Sequence, residues 1–136
     1  MGGPLSILLD THALIWWWTD ETKLSAIARD MIRDADADVV VSAASAWEIA
    51  TKHRSGRLPE FSVAGQTLAE MFKTTAGRTR ARMLDITPDH GLHAGGYAMD
   101  HRDPFDRLLA AQSELENIPL VTCDKAFAAF PCETRW

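Results

Sequence analysis

The chain is poor in cysteine and has no long apolar run. Its 136 residues include two cysteines, Cys123 and Cys132, too few for a disulfide framework and typical of a protein of the reducing cytoplasm. The longest uninterrupted apolar run is six residues, from Ala13 to Trp18, whereas a membrane-spanning helix needs about 20. We therefore expect a cytoplasmic protein that has no membrane anchor.

Positive charge is also scarce. Fourteen Lys and Arg stand against nineteen Asp and Glu, giving a net charge of −5, which excludes a uniformly basic surface for nucleic acid. The basic residues are concentrated between 52 and 82, where seven Lys and Arg accompany two Glu. This segment could guide phosphates to a site, or it could equally be a solvated helix and loop. The histidines, among them His90 and His93, follow no zinc-binding spacing.

Strand and helix patterns alternate along the chain. Short apolar runs predict buried strands at 5–9, 39–41 and 119–122, with a short strand or connector at 83–86 and an edge strand at 132–136. Helical patterns cover 12–18, 24–35, 43–53, 63–75, 88–100 and 103–117, and a short helix follows residue 124. With no linker or repeat, this alternation predicts a single α/β domain over 1–136 with a mainly parallel sheet.

Four acidic residues are expected at one edge of that sheet. Asp10 ends the first strand and Asp124 follows the last strong one, while Glu48 and Asp106 lie in helices beside them. Right-handed crossovers place the carboxyl ends of parallel strands at one edge, where ligands bind. Clustered carboxylates repel each other unless they hold a cation, and oxygen ligands suit Mg²⁺ or Mn²⁺ better than zinc. Such a site is typical of metal-assisted phosphodiester hydrolysis.

Each acid also has a purely structural interpretation. Asp10 and Asp124 could be N-caps, and the segment 103–106 (DPFD) is a good helix start with acids at the N-cap and in the first turn. Residues 45–48 (SAWE) could form a capping box. The residues alone leave the metal site and the caps equally open.

Four segments resemble one known family. They are 8–16 (LLDTHALIW), 41–52 (VSAASAWEIATK), 101–112 (HRDPFDRLLAAQ) and 120–124 (LVTCD). In this order and spacing they resemble PIN-domain proteins, in particular the VapC-type toxins of bacterial type II toxin–antitoxin systems. The resemblance covers nearly the whole chain, and the segment from Asp103 to Gln112 is the most specific part.

The resemblance implies a three-layer α/β/α fold and a Mg²⁺- or Mn²⁺-dependent endoribonuclease. Such an enzyme hydrolyses RNA, with tRNA or rRNA as targets, by a metal-activated water, and the acids map onto Asp10, Glu48, Asp106 and Asp124. Of the two acids in 103–106, Asp106 is favoured as the ligand because it precedes the apolar run 108–111, while Asp103 caps the helix and touches the metal through water. A small VapB-type antitoxin is the implied partner, with a homodimer or a hetero-oligomer as the assembly.

Further residues are candidates for supporting roles. Thr11 and Thr122, beside the acids, could bind a metal-bound water or a phosphate, or could simply bond local backbone. Arg102 and Arg107 flank Asp103 and Asp106 and could clamp a phosphate or neutralise a carboxylate. Consecutive helical residues point 100° apart, so Trp16, Trp17 and Trp18 sweep about 200° of a helix. At least one ring should lie at the border of the core or outside it, as at a partner interface, unless neighbouring helices cover all three.

Three other functions compete with this hypothesis. A signalling receiver needs an acidic pair after the first strand, and a haloacid-dehalogenase-like phosphatase needs an acid at position 12, which is His12. Neither requirement is met. A PIN-fold RNA- or protein-binding module without catalysis remains as the alternative, although all four acids are present.

Overall fold

Five parallel strands form the central sheet, in the order β3-β2-β1-β4-β5. The computed structural model describes residues 5–100 and 103–136. Its strands are β1 (Leu5–Leu9), β2 (Ala37–Ser42), β3 (Arg82–Leu84), β4 (Leu120–Val121) and β5 (Thr134–Arg135). The described segments thus confirm the predicted parallel sheet.

Within the described residues, six α-helices connect the strands. They are α1 (Thr11–Thr19), α2 (Ala26–Arg33), α3 (Ala43–Arg54), α4 (Leu68–Arg78), α5 (Pro88–Gly96) and α6 (Pro104–Glu116). Short 3₁₀ helices lie at Glu21–Lys23, Pro59–Phe61 and Lys125–Ala129. None of the described helices is long and apolar enough to cross a membrane.

The sheet is buried on both faces, which makes the molecule a three-layer sandwich. Alternate residues of a strand point to opposite faces. Ile7 and Leu9 of β1 pack in one core cluster with apolar residues of α1, α2, α3 and α4, whereas Leu8 packs in a second cluster with α6 and the 3₁₀ helix 125–129. Residues 7–9, 39–41 and 120–121 of the three central strands are continuous apolar runs because both faces are covered there.

Two helices begin at least two residues later than their sequence patterns predict. The pattern over 24–35 becomes α2 only from Ala26, because the side chain of Ser25 accepts a hydrogen bond from the amide of Ala28 and starts the helix there. The pattern over 63–75 becomes α4 only from Leu68, where Thr67 and Glu70 form a capping box. Local caps thus override apolar spacing in setting where these helices begin.

The register brings three strand ends to the same level. Leu9 of β1 is paired with Val41 of β2 and with Val121 of β4. The next residues, Asp10, Ser42 and Thr122, are therefore side by side at the carboxyl edge of the sheet, and all three are buried. Parallel topology gives this edge the polar groups around which a site can form.

Candidate active site

Asp10 is a buried carboxylate at the end of β1. Asp10 is only 3% exposed. Oδ1 accepts a hydrogen bond from the amide of Ala13 at 2.7 Å, and so caps α1, while Oδ2 accepts one from the Thr122 hydroxyl at 2.5 Å. Burial raises the pKa of Asp10 despite these bonds, and the charge of Asp124 raises it further. A buried anion whose hydrogen-bond donors are neutral is stabilised by a nearby cation.

Thr122 joins Asp10 to Asp124. Its hydroxyl donates to Asp10 and its oxygen accepts from the amide of Asp124 at 3.0 Å. Asp124 is exposed, and its Oδ1 accepts from the amide of Ala126 at 2.9 Å, which caps the 3₁₀ helix 125–129. One threonine therefore fixes the ends of β1 and β4 relative to each other and places two carboxylates within electrostatic reach.

Glu48 is held on α3 beside a lysine. Its Oε2 lies 3.7 Å from Nζ of Lys52, one turn further along the helix, and both side chains are mostly buried. The N-terminal end of α3 is tied to α1 by a buried hydrogen bond, in which the Thr11 hydroxyl donates to Oγ of Ser45 at 3.0 Å. Thr11 thus positions the two helices that follow β1 and β2.

The capping-box prediction for 45–48 is wrong. Ser42 is the N-cap of α3, because its Oγ accepts from the amide of Ala44 at 2.9 Å. The helix start predicted at 43 is confirmed, but the serine that caps the helix is Ser42 at the end of β2 and not Ser45. The other structural caps do occur, so Asp10, Asp103 and Asp124 each cap a helix while also belonging to the acidic edge.

Asp106 lies in the first turn of α6, whose N-cap is Asp103. Oδ1 of Asp103 accepts from the amides of Phe105 at 2.9 Å and Asp106 at 3.4 Å. The ring of Phe105 contacts that of Trp47 edge to face, with the centroids 4.6 Å apart. This pair brings together the parts of α3 and α6 that carry Glu48 and Asp106.

A buried hydrogen-bond network links α6 to the start of α3. Gln112 of α6 is fully buried and accepts a hydrogen bond from the Ser42 hydroxyl, while its amide nitrogen donates to the carbonyl of Asp85 at 3.2 Å.

Nδ1 of His90 accepts from the amide of Thr87, so its Nε2 is the donor to Glu116 at 2.9 Å. His90 therefore has a structural place in α5, away from the acids.

The acidic edge suits a hard divalent cation in its chemistry but is not a closed cage. All four acids offer carboxylate oxygens, the donors that Mg²⁺ and Mn²⁺ prefer. The charge of Asp124 raises the pKa of Asp10, whereas Glu48 and Asp106 lie on two neighbouring helices. Over 5–100 and 103–136, no three His, Cys, Asp or Glu side chains are grouped closely enough to enclose a metal ion. A cation would have to draw the side chains together.

Arg107 has a different set of partners from those expected. Its guanidinium donates hydrogen bonds to backbone carbonyls at the end of α5 and in the loop that follows. These belong to Ala94 (2.9 Å), Gly95 (3.4 Å), Tyr97 (2.8 Å) and Met99 (3.1 Å). In the described contacts Arg107 therefore fixes this loop, and its role at a phosphate or a carboxylate stays a prediction. Arg102 lies outside the described residues.

The three consecutive tryptophans are all half-buried. Trp16, Trp17 and Trp18 pack against the core cluster of the α1–α4 layer. Trp16 contacts the ring of Trp136, and Trp18 contacts Phe72 and donates its indole N–H to Thr79. Neighbouring elements thus cover much of the 200° sweep. The exposed tryptophan is instead Trp47, which is 56% exposed.

The basic segment does not converge on the acids. Arg82 forms an ion pair with Asp38 near the start of β2, at 2.9 Å, and Lys52 is paired with Glu48. Arg54 ends α3 and Arg57 follows it, while Arg78 and Arg80 precede β3. Helices that start at the carboxyl edge run back to the opposite edge of the sheet, so this cluster lies away from the site. The expectation that it guides phosphates to the acids is not supported by this placement.

Sequence reasoning missed the neighbours of Glu48. Lys52 is four residues later on the same helix, a spacing that predicts an ion pair. Trp47 and Phe105 each directly precede one of the acids, but their contact depends on how α3 meets α6. Cys123 follows β4 and is exposed, and nearby Asp10 and Asp124 add to the effect of burial in raising its pKa.

The fold and site define an α/β/α domain with an acidic carboxyl edge, the architecture of a PIN domain. A family model described as "PIN domain" matches residues 7–131. The chain therefore belongs to the PIN domain family, as the sequence motifs predicted.

Three solved structures are similar to the whole chain. A toxin–antitoxin complex from Klebsiella pneumoniae has a TM-score of 0.62 at 17% identity, and covers 92% of each chain. VapBC2 from Rickettsia felis, bound to a DNA fragment from its promoter, has a TM-score of 0.64 at 13% identity, with 96% of this chain and 97% of that chain covered. FitAcB from Neisseria gonorrhoeae has a TM-score of 0.53 at 17% identity, with 94% and 95% covered. Among curated proteins, none is significantly similar in sequence.

Proposed function

We propose that this chain is a Mg²⁺- or Mn²⁺-dependent endoribonuclease of the VapC type, the toxin of a toxin–antitoxin pair. The observation that carries the proposal is the Asp10 carboxylate, which is buried, hydrogen-bonded only to neutral donors in the described contacts, and coupled to Asp124. In a PIN domain with Glu48 and Asp106 on the adjoining helices, this arrangement favours cation binding and phosphodiester hydrolysis.

The chain's own residues have distinct parts in this proposal. Asp10, Glu48, Asp106 and Asp124 would hold the cation, which when bound polarises the phosphodiester and makes water a better nucleophile. Thr122 orients Asp10 through a hydrogen bond and anchors Asp124. Asp103 caps α6 and reaches the site only through water. A carboxylate of this group accepts the proton of the attacking water, so no side-chain nucleophile is required.

RNA cleavage tests this function. Total bacterial RNA, rich in tRNA and rRNA, is incubated with the purified chain and Mg²⁺ or Mn²⁺, with EDTA in a parallel reaction. We expect discrete fragments that need both the metal and Asp10, so that Asp10→Asn abolishes them. Asp30→Asn, an exposed acid of α2, is the matched control and should cleave normally. Fragments that survive EDTA and Asp10→Asn would reveal a contaminating nuclease.

Absence of cleavage has a separate meaning. If the chain binds Mn²⁺ but cuts neither tRNA nor rRNA, the substrate proposed here is wrong. If it binds no metal, the catalytically inactive PIN-fold module is the better description. Metal binding and cleavage are therefore measured on the same preparation.

We also propose a small VapB-type antitoxin as the partner, with a homodimer or a hetero-oligomer as the assembly. The similarity to the Klebsiella toxin–antitoxin complex supports the partner. The half-buried Trp17 and the exposed Ile27 of α2 offer apolar surface on the helix pair 12–35. A candidate antitoxin encoded beside this chain should abolish RNA cleavage at a stoichiometric ratio, and Trp17→Ala should weaken that inhibition about tenfold. Unchanged inhibition would exclude this surface.

A further inference from the structure

Trp47 combines high exposure with a fixed position. It is 56% exposed, whereas the other four tryptophans are half-buried. The ring of Phe105 contacts it edge to face, with an interplanar angle of 77° and centroids 4.6 Å apart. This geometry is a favourable one for two aromatic rings, and it restrains the indole while leaving much of its surface open.

The Trp47–Phe105 pair lies at the border of the acidic edge. Trp47 directly precedes Glu48 on α3, and Phe105 directly precedes Asp106 on α6. The pair therefore marks the point where the two acid-bearing helices meet. The exposed indole therefore lies beside the helix positions that carry two of the proposed ligands.

Electrostatic repulsion makes an uncharged contact with RNA favourable beside the acids. The chain carries a net charge of −5, the acids repel a phosphate backbone, and the cluster of exposed arginines around 54–57 and 78–80 lies toward the other edge of the sheet. Stacking of a base on an aromatic ring contributes to affinity without a phosphate contact, and every base offers a π-face.

From these observations we propose that the open face of Trp47 is a stacking site for an unpaired nucleobase next to the bond that is cut. The inference rests on the proposed ribonuclease function and narrows its substrate to single-stranded RNA, because bases within a duplex are already stacked. Phe105 holds the indole in place, and Trp47 binds the substrate without taking part in the chemistry.

Binding of a fluorescent single-stranded oligoribonucleotide tests the proposal. The measurement uses the Asp10→Asn background, so that the RNA stays intact. We expect Trp47→Ala to raise the Kd about tenfold and Trp47→Phe to restore most of the affinity, because phenylalanine keeps a stacking face. Leu92→Ala is the control, since Leu92 is 76% exposed on α5 and is remote from the acids in the fold; it should leave the Kd unchanged.

Three further readouts separate stacking from other roles of Trp47. The tenfold ratio should be the same at low and moderate salt, because stacking releases no counterions. Abasic substitution along the RNA should find one position at which Trp47→Ala has no additional effect. With Asp10 intact, Trp47→Ala should raise KM and leave kcat nearly unchanged.

Any of four results would overturn the inference. The first is equal affinity of Trp47→Ala and its parent for the RNA, and the second is a Trp47→Phe variant that binds as weakly as Trp47→Ala. The third is a fall in solution mass that accompanies the loss of RNA affinity, which would identify Trp47 as a subunit contact. Duplex RNA that binds as well as the single strand, with the same dependence on Trp47, would also contradict it. Failure of the proposed function is distinguishable, because the chain with both Asp10 and Trp47 intact would then cleave no RNA.

Discussion

At the scale of single residues, Asp10 has a structural and a chemical place at once. One carboxylate oxygen caps α1 and the other accepts the Thr122 hydroxyl. A cap normally stabilises a helix, but this carboxylate is buried and its pKa is raised by burial. The ionised form is therefore costly in the absence of a cation, which is the usual condition of a side chain kept for function.

Asp10→Asn should stabilise the metal-free protein at neutral pH. Because the folded-state pKa is above its ordinary value of 3.8, the native state binds the proton more tightly than the unfolded chain does. Stability from this group is present at low pH and is lost as pH rises from about 3.8 through the folded pKa. Asparagine mimics the neutral form, so Tm should rise at pH 7, by about 4 °C per kcal/mol gained.

The pH dependence of the same variant provides the control. The difference in Tm between Asp10→Asn and the unsubstituted chain should shrink as pH falls through the folded pKa and below about 3.8, where Asp10 is protonated in both states. Added Mn²⁺ should reverse the order at pH 7, by stabilising only the chain that keeps Asp10. Equal melting temperatures of the metal-free proteins at all pH values would show that ionised Asp10 carries no cost.

Thr122→Val should damage the site more than the fold. The substitution keeps the shape but removes the donor to Asp10 and the acceptor for the amide of Asp124. We expect a loss of about 1–3 kcal/mol in the free energy of unfolding, measured by urea denaturation. RNA cleavage should fall about 10- to 100-fold, as for other residues that orient metal ligands. Thr122→Ser keeps the hydroxyl and should retain most of the stability and most of the cleavage activity. Losses in Thr122→Ser as large as those in Thr122→Val would contradict this role.

At the scale of elements, the site depends on how α3 and α6 are held. Gln112 bonds to Ser42, the N-cap of α3, and Trp47 contacts Phe105 near the start of α6. Arg107 binds four carbonyls at and after the end of α5, and so fixes the segment that leads toward α6. These contacts position Glu48 and Asp106 from outside the acidic edge.

Arg107→Met distinguishes a structural arginine from a phosphate-binding one. The four carbonyls lose a charged donor, so we expect the free energy of unfolding to fall by about 3 kcal/mol. Arg57→Met, at an exposed position after α3, should change it by less than about 0.5 kcal/mol. If Arg107→Met bound RNA more weakly but kept its stability in urea, Arg107 would be a phosphate-binding residue.

The helix starts show what a sequence can and cannot predict at this scale. The Asp103–Pro104 start of α6 was predictable because cap and proline are adjacent. The late start of α4 was also encoded locally, in Thr67 and Glu70, but apolar spacing obscured it. Ser42 as the cap of α3 was not evident, because β2 runs into that helix without a loop.

At the scale of the whole molecule, the parallel sheet and the acidic edge followed from the order of strands and helices. The equal level of Asp10, Ser42 and Thr122 results from the register of β1, β2 and β4. The cover over Trp16 and Trp18 could not be predicted, because it comes from Trp136, Phe72 and Thr79, which are distant in sequence. The same holds for the partners of Arg107, and for the position of the basic segment away from the acids.

Mn²⁺ binding by calorimetry tests the central claim most directly, namely that four acids from four parts of the fold serve one cation site. The account predicts that Glu48→Gln, Asp106→Asn and Asp124→Asn each weaken Mn²⁺ binding at least tenfold, as Asp10→Asn does, while Asp30→Asn leaves it unchanged. Binding that depends on Asp10 and Asp124 alone, or that is equally strong in every variant, would contradict it.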